Sequence, residues 1–478
     1  MVKLKNAQLI ILIVVIISVL TTTILMNISH EVDNATRMAN TINIDNGDTK
    51  INWDRYSTIE VYLDGSYEIV QSGVYHLTGA ISDGLVSVSP GVEGVVKLIL
   101  DNVEINNSNG PAIACYNGDD LVIELVGKNV LSDGSSYASL YDEDVAGAIY
   151  SKADLTFQGN GMLSLMANYQ DGIVSKDDLK FNGGNYDIVA VDDAVRGKDS
   201  VYVVDGNFTI KAGSDGIKST NETDAGKGFV LVEAGKLNLS VGDDGVYADR
   251  EVRVNGGEIR VVKSYEGLEA QVVTINGGDI SIATSDDGIN AGGGADSSAN
   301  NRPGANPFDG DESCILSVNG GSVYVNASGD GMDSNGWLYF NGGEVVVDGP
   351  TDNGNGALDA GMGVVMNGGT VIAVGASGMA EALGDTSAVN NVSIYLTSMQ
   401  AAGTEILITD ADDNSVIEHT AAKAFNHIAV GTSEFKLGDK YVIYLNGERY
   451  AEFTIAGTLT TVGNNTNQNL MPGPGQRR

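Results

Sequence analysis

One phrase returns along this chain at intervals of about twenty residues, and it leaves few folds open. An acidic residue leads into glycine or alanine and then into an apolar residue: Asp171-Gly172-Ile173, Asp193-Ala194-Val195, Asp215-Gly216-Ile217. Positions 172, 194 and 216 are spaced by 22 residues. The phrase recurs at Asp244-Gly245, Glu266-Gly267, Asp287-Gly288 and Asp330-Gly331, and more loosely at Asn355-Gly356 and Ser377-Gly378. An earlier copy spans Ala146 to Lys152. Self-similarity at such a period means a solenoid, in which each unit buries its core only against its neighbours.

Within one unit the period is two. Leu179/Phe181, Val201/Val203, Val252/Val254 and Leu338/Phe340 take one face, while Lys180, Tyr202, Arg253 and Tyr339 take the other. Such alternation reads as half-buried strand. Asn-Gly-Gly turns at 182–184, 255–257, 276–278, 319–321, 341–343 and 367–369 supply the positive backbone dihedrals that reverse the chain. About three short strands in each unit leave no room for a helix. The predicted fold is all-β: a right-handed parallel β-helix (solenoid) with coils stacked at roughly 4.8 Å, an N-terminal β cap and a small C-terminal β-domain or cap. A leucine-rich horseshoe is the rival, but its Leu/Asn signature is absent.

The flanks follow from composition. Residues 1–30 carry Lys3 and Lys5 ahead of an apolar run from Leu9 to about Met26, so they read as a signal anchor or a signal peptide. That predicts an exported body, extracellular at the cell surface and held to the membrane by an N-terminal helix. Residues 31–55 read as a linker. The repeat domain is expected over 56–390, with the irregular stretch 56–145 as its cap and first coils. A polar loop insertion falls at 291–312, a C-terminal β cap at 391–462 with a hairpin signal at Asn446-Gly447, and a disordered tail at 463–478. Cys115 and Cys314 are too far apart and too few to be a disulfide framework, and each reads as a small buried residue.

The net charge of −36 and pI of about 4.2 argue against nucleic acid as a partner. They also argue against an anionic polymer, unless cations intervene. Stacking turns the repeat into a ladder. Asp171, Asp193, Asp215, Asp244, Glu266, Asp287 and Asp330 should project from one edge, doubled in places by Asp192, Asp243 and Asp286. Like charges about 5 Å apart repel, and a hard cation relieves them. Calcium, which takes about six to eight oxygens, is the expected cofactor at Asp171, Asp192, Asp193, Asp215, Asp243, Asp244, Asp286 and Asp287. The plainer reading is that each Asp caps its own turn. A second column, two residues after each Gly, runs Val174, Arg196, Lys218, Tyr247, Glu269, Asn290, Asp333, Asp359, flanked by Lys176, Lys198 and Arg250. A cation there can hold a sugar carboxylate, or, with a lowered pKa, take a proton beside one. Salt bridging to the neighbouring acids is the alternative. Tyr202, Tyr247, Tyr265, Tyr339 and Trp337 are candidates for stacking on sugar rings. No nucleophile elbow, zinc-protease or phosphate-loop motif is present, and His30, His76, His419 and His427 lie outside the repeats.

The strings AGAIYSKADLTF, YQDGIVSKDDLKFNGG, DDAVRGKDSV and SDGIKSTN resemble the clostridial cell-surface carbohydrate-binding proteins that fold as pectate-lyase-like parallel β-helices. The resemblance extends upstream through VKLILDNVEINNSNGPAIAC and covers about residues 55–463. It implies calcium on the solenoid and binding of plant cell-wall polysaccharide, both cellulose and acidic pectin-type sugars. It carries Asp171, Asp192, Asp193, Asp215, Asp243 and Asp244 over as metal positions, with Arg196, Lys198 and Lys218 as sugar contacts. Tyr247 joins them from the second column and Lys176 from its flank. The chain departs from the pattern at Ala194 and Glu266. The expected function is calcium-dependent polysaccharide binding by a monomer. A lyase with Arg196, Lys198 or Lys218 as base, and a structural adhesin, are the alternatives.

Overall fold

The strands begin where the period-two pattern begins, and each pairs with its counterpart one repeat later. The computed structural model describes residues 51–138, 145–292 and 310–464. Every strand named below belongs to one compact unit of the chain. Ile173 lies opposite Val195, Val195 opposite Ile217, and Ile217 opposite Val246, all in parallel register. The segment before each Gly turn stacks likewise: Leu179 on Val201, Val201 on Val230, Val230 on Val252 and Val252 on Val273. The segment after the turn forms a third parallel ladder, with Ile210 on Leu239, Leu239 on Val261 and Val261 on Ile282.

The fold expectation is corrected in two respects. A right-handed β-helix of discrete short strands was expected, but 35 of the described strands form one sheet that closes on itself as a parallel, barrel-like sheet. The strand Asp178–Ala190, 13 residues long, continues through the expected turn at 182–184 with register shifts at Asn182, and Ser200–Ala212, also 13 residues, pairs with it along its length, joining two ladders into one. Thr58–Leu63 already pairs in parallel with Gly73–Ile81, and that strand with Val96–Asp101, so the stretch read as irregular is ordinary stacked sheet.

The inward faces make one continuous apolar core from Val61 to Ala429. Burying such side chains is the main favourable term in holding the stack together. Both glycines of an Asn-Gly-Gly turn have a reason. At 341–343, Gly343 has φ +82°, while a Cβ on Gly342 would lie 2.4 Å from the Asn319 carbonyl oxygen of the preceding turn. The turn asparagines stack too: Asn319 Nδ2 donates to Asn276 Oδ1 at 2.7 Å, and Asn341 Nδ2 to Asn319 Oδ1 at 2.8 Å.

The ladder ends when Phe425–Thr432 pairs antiparallel with Thr370–Gly375. Beyond it Ser415–Thr420, Glu405–Thr409, Lys440–Leu445 and Glu448–Thr454 form a separate antiparallel sheet over its own apolar cluster. Its last two strands meet in a hairpin at Asn446 and Gly447, with φ of 51° and 75°.

The membrane anchor is also corrected. Among the described residues no helix is long and apolar enough to cross a membrane. Residues 1–30 lie outside the described residues, so the anchoring helix and the extracellular location drawn from it are set aside. Most of the insertion at 291–312 and of the tail at 463–478 also lies outside them.

The glycine after each acid answers to a different constraint. A Cβ on Gly245 would lie 2.5 Å from the Gly267 carbonyl oxygen and 2.8 Å from Val261 Cγ2. Gly245→Val is therefore expected to cost about 1–3 kcal/mol by overpacking, read as a lower denaturation midpoint at unchanged slope. An unchanged midpoint would mean that the neighbouring rung gives way.

Candidate functional site

The acid column forms, but its carboxylates do something the sequence did not suggest. Asp171, Asp193, Asp215 and Asp287 each accept a hydrogen bond from the backbone of the next rung, not from their own turn. The Asp193 N–H donates to Asp171 Oδ1 at 3.2 Å, Asp215 N–H to Asp193 Oδ1 at 3.1 Å, and Asp244 N–H to Asp215 Oδ1 at 2.9 Å. Further along, Asp330 N–H donates to Asp287 Oδ1 at 2.5 Å. One oxygen of each of these carboxylates therefore ties two rungs together. The other is left for a side chain or an ion.

The second column forms as expected. Arg196 lies between Val174 and Lys218, Lys218 opposite Tyr247, Tyr247 opposite Glu269, Glu269 opposite Asn290, and Asn290 opposite Asp333. Its early cations meet the acid column. The Arg196 guanidinium is 2.5 Å from Asp171 Oδ2. Lys218 Nζ bonds Asp215 Oδ2 and lies 3.8 Å from Asp193 Oδ2. Lys218 also sits 5.2 Å from the centre of the Tyr247 ring, whose hydroxyl donates to Asp249 Oδ1 at 2.8 Å. Burial pulls the Lys218 ammonium down, but Asp215 and Asp193 outweigh it and hold its pKa above the ordinary value.

The expected metal positions converge in part. Asp171, Asp192 and Asp193 bring oxygens within 4.8 Å of one another, as do Asp215, Asp243 and Asp244. Asp287 does so with Asp330 and Asp333, while Asp286 joins none of the described groups. Asp244, Glu266 and Glu269 form a group in which all three residues are buried. Sequence reasoning left Glu269 out because it sits in the other column. Glu266 stands one rung on from Asp244 in the same column, and only the curl of the chain around one corner brings position 269 to them. Asp154, Asp177 and Asp178 form another group that was missed. Its signal was the recurring Lys-x-Asp of Lys152–Asp154 and Lys176–Asp178. Asp154 and Asp178 carry the link there, with Asp178 N–H donating to Asp154 Oδ1 at 3.2 Å.

Burial, foremost, pushes Asp171 and Asp244 up to about 7 and Asp215 up to about 6. Neighbouring carboxylates add to the rise in each case; the cations Arg196 and Lys218, and hydrogen bonds from neighbouring groups, oppose it. A buried carboxylate group of this kind is costly in its ionised form unless a cation shares it. The all-oxygen set Asp244, Glu266 and Glu269 fits a hard divalent ion. The Asp171 set fits it less well, since Arg196 already occupies one oxygen.

A cleft of about 240 Å³ opens at this place, lined by Lys218, Asp243, Asp244, Tyr247, Tyr265 and Glu269 among others. Tyr265 is 41% exposed at its edge. Lys176 and Lys198 do not line it. Lys198 is exposed and Lys176 half-buried, on the turns that follow the strands Asp171–Ser175 and Val195–Gly197.

Residues 63–300 match a family model described as carbohydrate-binding domain-containing protein. A protein of that description from Acetivibrio thermocellus is 35% identical over 145 residues, which are 30% of this chain and 50% of the relative. The chain thus spans half the length of the curated relative it matches. A solved structure, a polysaccharide lyase-like protein from C. thermocellum crystallised as a gadolinium derivative, is 29% identical. It covers 47% of this chain and 93% of its own, at a TM-score of 0.40, too low for any conclusion on fold. By the family match and the relative together, residues 63–300 of the chain are recognised as a domain of the carbohydrate-binding domain-containing family.

Proposed function

We propose that this protein binds polysaccharide, and that the Lys218–Glu269 cleft takes an acidic sugar of the plant cell-wall pectin type with calcium as the shared ion. The observation that supports this reading most is the buried group Asp244, Glu266 and Glu269, whose oxygens lie within 4.8 Å of one another beside the Lys218 column. Calcium, where bound, supplies the positive charge and the open oxygen positions that a sugar carboxylate needs. Asp244, Glu266 and Glu269 would hold it. Lys218 donates to the same carboxylate as a cation, while Asp215 fixes the direction of its ammonium. Tyr265, exposed at the rim, offers a ring face. An acidic protein holds an acidic polymer by this route without direct repulsion.

A lyase needs a base that is unprotonated near neutral pH. Lys218 is held protonated by Asp215 and Asp193, so it serves as a cation and not as a base.

The test is one incubation of the full chain with polygalacturonate, with calcium or with EDTA, following retained protein and new ultraviolet absorbance together. Retention in calcium, its loss in EDTA and flat absorbance are expected. Lys218→Gln and Glu269→Gln should each weaken retention roughly tenfold or more, the worth of a lost charge-assisted contact. Retention that is indifferent to EDTA would remove calcium from the account. Rising absorbance would make the protein a lyase.

A further inference from the structure

The second column changes sign along its length. It runs Val174, Arg196, Lys218, then Tyr247, then Glu269, Asn290 and Asp333. One residue, Tyr247, separates the last cation from the first carboxylate. Elsewhere in the fold, opposite charges in adjoining rungs pair. Lys236 lies directly opposite Glu258, and its Nζ is 2.6 Å from Glu258 Oε2. Lys97 Nζ meets Glu124 Oε2 of the next rung at 2.5 Å. Lys218 and Glu269 are instead two rungs apart, roughly 10 Å at about 4.8 Å per rung.

Tyr247 is held in that gap. The Lys218 ammonium sits 5.2 Å from the centre of the Tyr247 ring. The Tyr247 hydroxyl donates to Asp249 Oδ1 at 2.8 Å, so the ring is tied to its own strand, Val246–Val254. Burial, foremost, and then Asp249, Glu269 and Asp244 push the Tyr247 hydroxyl up, so the ring carries no charge at any working pH. On its far side Glu269 is buried and joins Asp244 and Glu266. Without the ring, a lysine stem leaning one way and a glutamate leaning the other would close the distance. A buried carboxylate is costly without a cation, so the contact would form.

We propose that Tyr247 is a positioning residue of this cleft: a neutral spacer that keeps the Lys218 ammonium off Glu269 and leaves the oxygens of Asp244, Glu266 and Glu269 to a divalent ion. The role rests on the calcium reading of the cleft given above. Two separate cations then face the cleft, Lys218 on one side of the ring and the ion on the other. A contact between Lys218 and Glu269 would neutralise part of the acid group and draw the ammonium out of the cleft at the same time.

Calcium uptake is titrated by heat for the full natural chain, Tyr247→Ala, Lys218→Gln and the double variant. Tyr247→Ala should weaken calcium binding about tenfold or more where Lys218 is present. In the Lys218→Gln chain the same substitution should change little, because no ammonium remains to take Glu269. Tyr247→Phe, which keeps the ring, should retain most of the affinity. Urea midpoints in EDTA at pH 8 give a second readout. Lys218→Gln and Glu269→Gln should act additively in the natural chain and fail to add in the Tyr247→Ala chain, the sign of a new contact. If Tyr247→Ala does not fold, Tyr247→Thr takes its place in both series. The proposal is overturned if Tyr247→Ala weakens calcium binding equally with and without Lys218, as lost packing alone would. It is also overturned if Tyr247→Phe falls as far as Tyr247→Ala, or if Lys218 and Glu269 stay additive in both chains. A natural chain that takes up no calcium would instead sink the calcium reading of the cleft, and the urea series would still decide the spacer.

Discussion

Phe181→Ala is expected to destabilise the folded chain by about 3–5 kcal/mol, the usual cost of deleting a buried aromatic ring and leaving its cavity. Phe181 is fully buried at the centre of a ring cluster. It stacks on Phe157 at 5.2 Å and 12°, and meets Tyr186 and Phe208 edge-on at 5.2 Å and 5.1 Å. These rings come from three successive rungs, so the substitution loosens the contact of each rung with its neighbours. In a stacked repeat those contacts are most of the stability. Tyr62→Ala is the control. Tyr62 is 76% exposed, and its loss should stay within about 0.5 kcal/mol. Equal midpoints for the two variants in a urea titration would mean that the ring cluster does not hold the rungs together.

Lowering the pH from 8 to 5.5 in EDTA is expected to raise the melting temperature, the reverse of common acid behaviour. The buried column carboxyls Asp171, Asp215 and Asp244 have folded pKa values of about 7, 6 and 7 against an ordinary 3.8. The folded chain therefore binds their protons more tightly than the unfolded chain does. Their contribution is fully present below the ordinary value and is lost as pH climbs through about 6 to 7. A carboxyl moved from 3.8 to about 7 is worth about 4 kcal/mol between those limits. Calcium that binds the same oxygens should restore the melting temperature at pH 8 and flatten the slope. A melting temperature that falls on acidification would show these carboxylates ionised and fully paired by Arg196 and Lys218. A slope that calcium leaves untouched would remove the column as its binding place.

The site was half legible before folding. Register followed from the repeat: with parallel pairing at a fixed period, Arg196 must face Lys218, and it does. Convergence across columns did not follow. Glu269 reaches Asp244 from the second column, around a corner whose angle no spacing encodes. The Asp column also looked unpaired on paper. In the fold, next-rung N–H groups take one oxygen of Asp171, Asp193 and Asp215, and Arg196 and Lys218 take others. The strand breaks misled in the opposite direction. Asn182–Gly184 has turn composition, yet Asp178–Ala190 runs through it as one strand, because the neighbouring rungs pair on both sides.

The sequence by itself determined the all-β class, the direction of each strand face and the membership of each column. Period two and a period near 22 leave no other way to bury the apolar residues. Tertiary structure alone decided the rest: the closure of the ladders into one sheet, and the occupied and open carboxylate oxygens. These depend on contacts between segments far apart in the chain, such as Phe425–Thr432 paired with Thr370–Gly375. A repeat fixes what lies one rung away; the course of a loop that leaves the repeat is set only by the packing it finds.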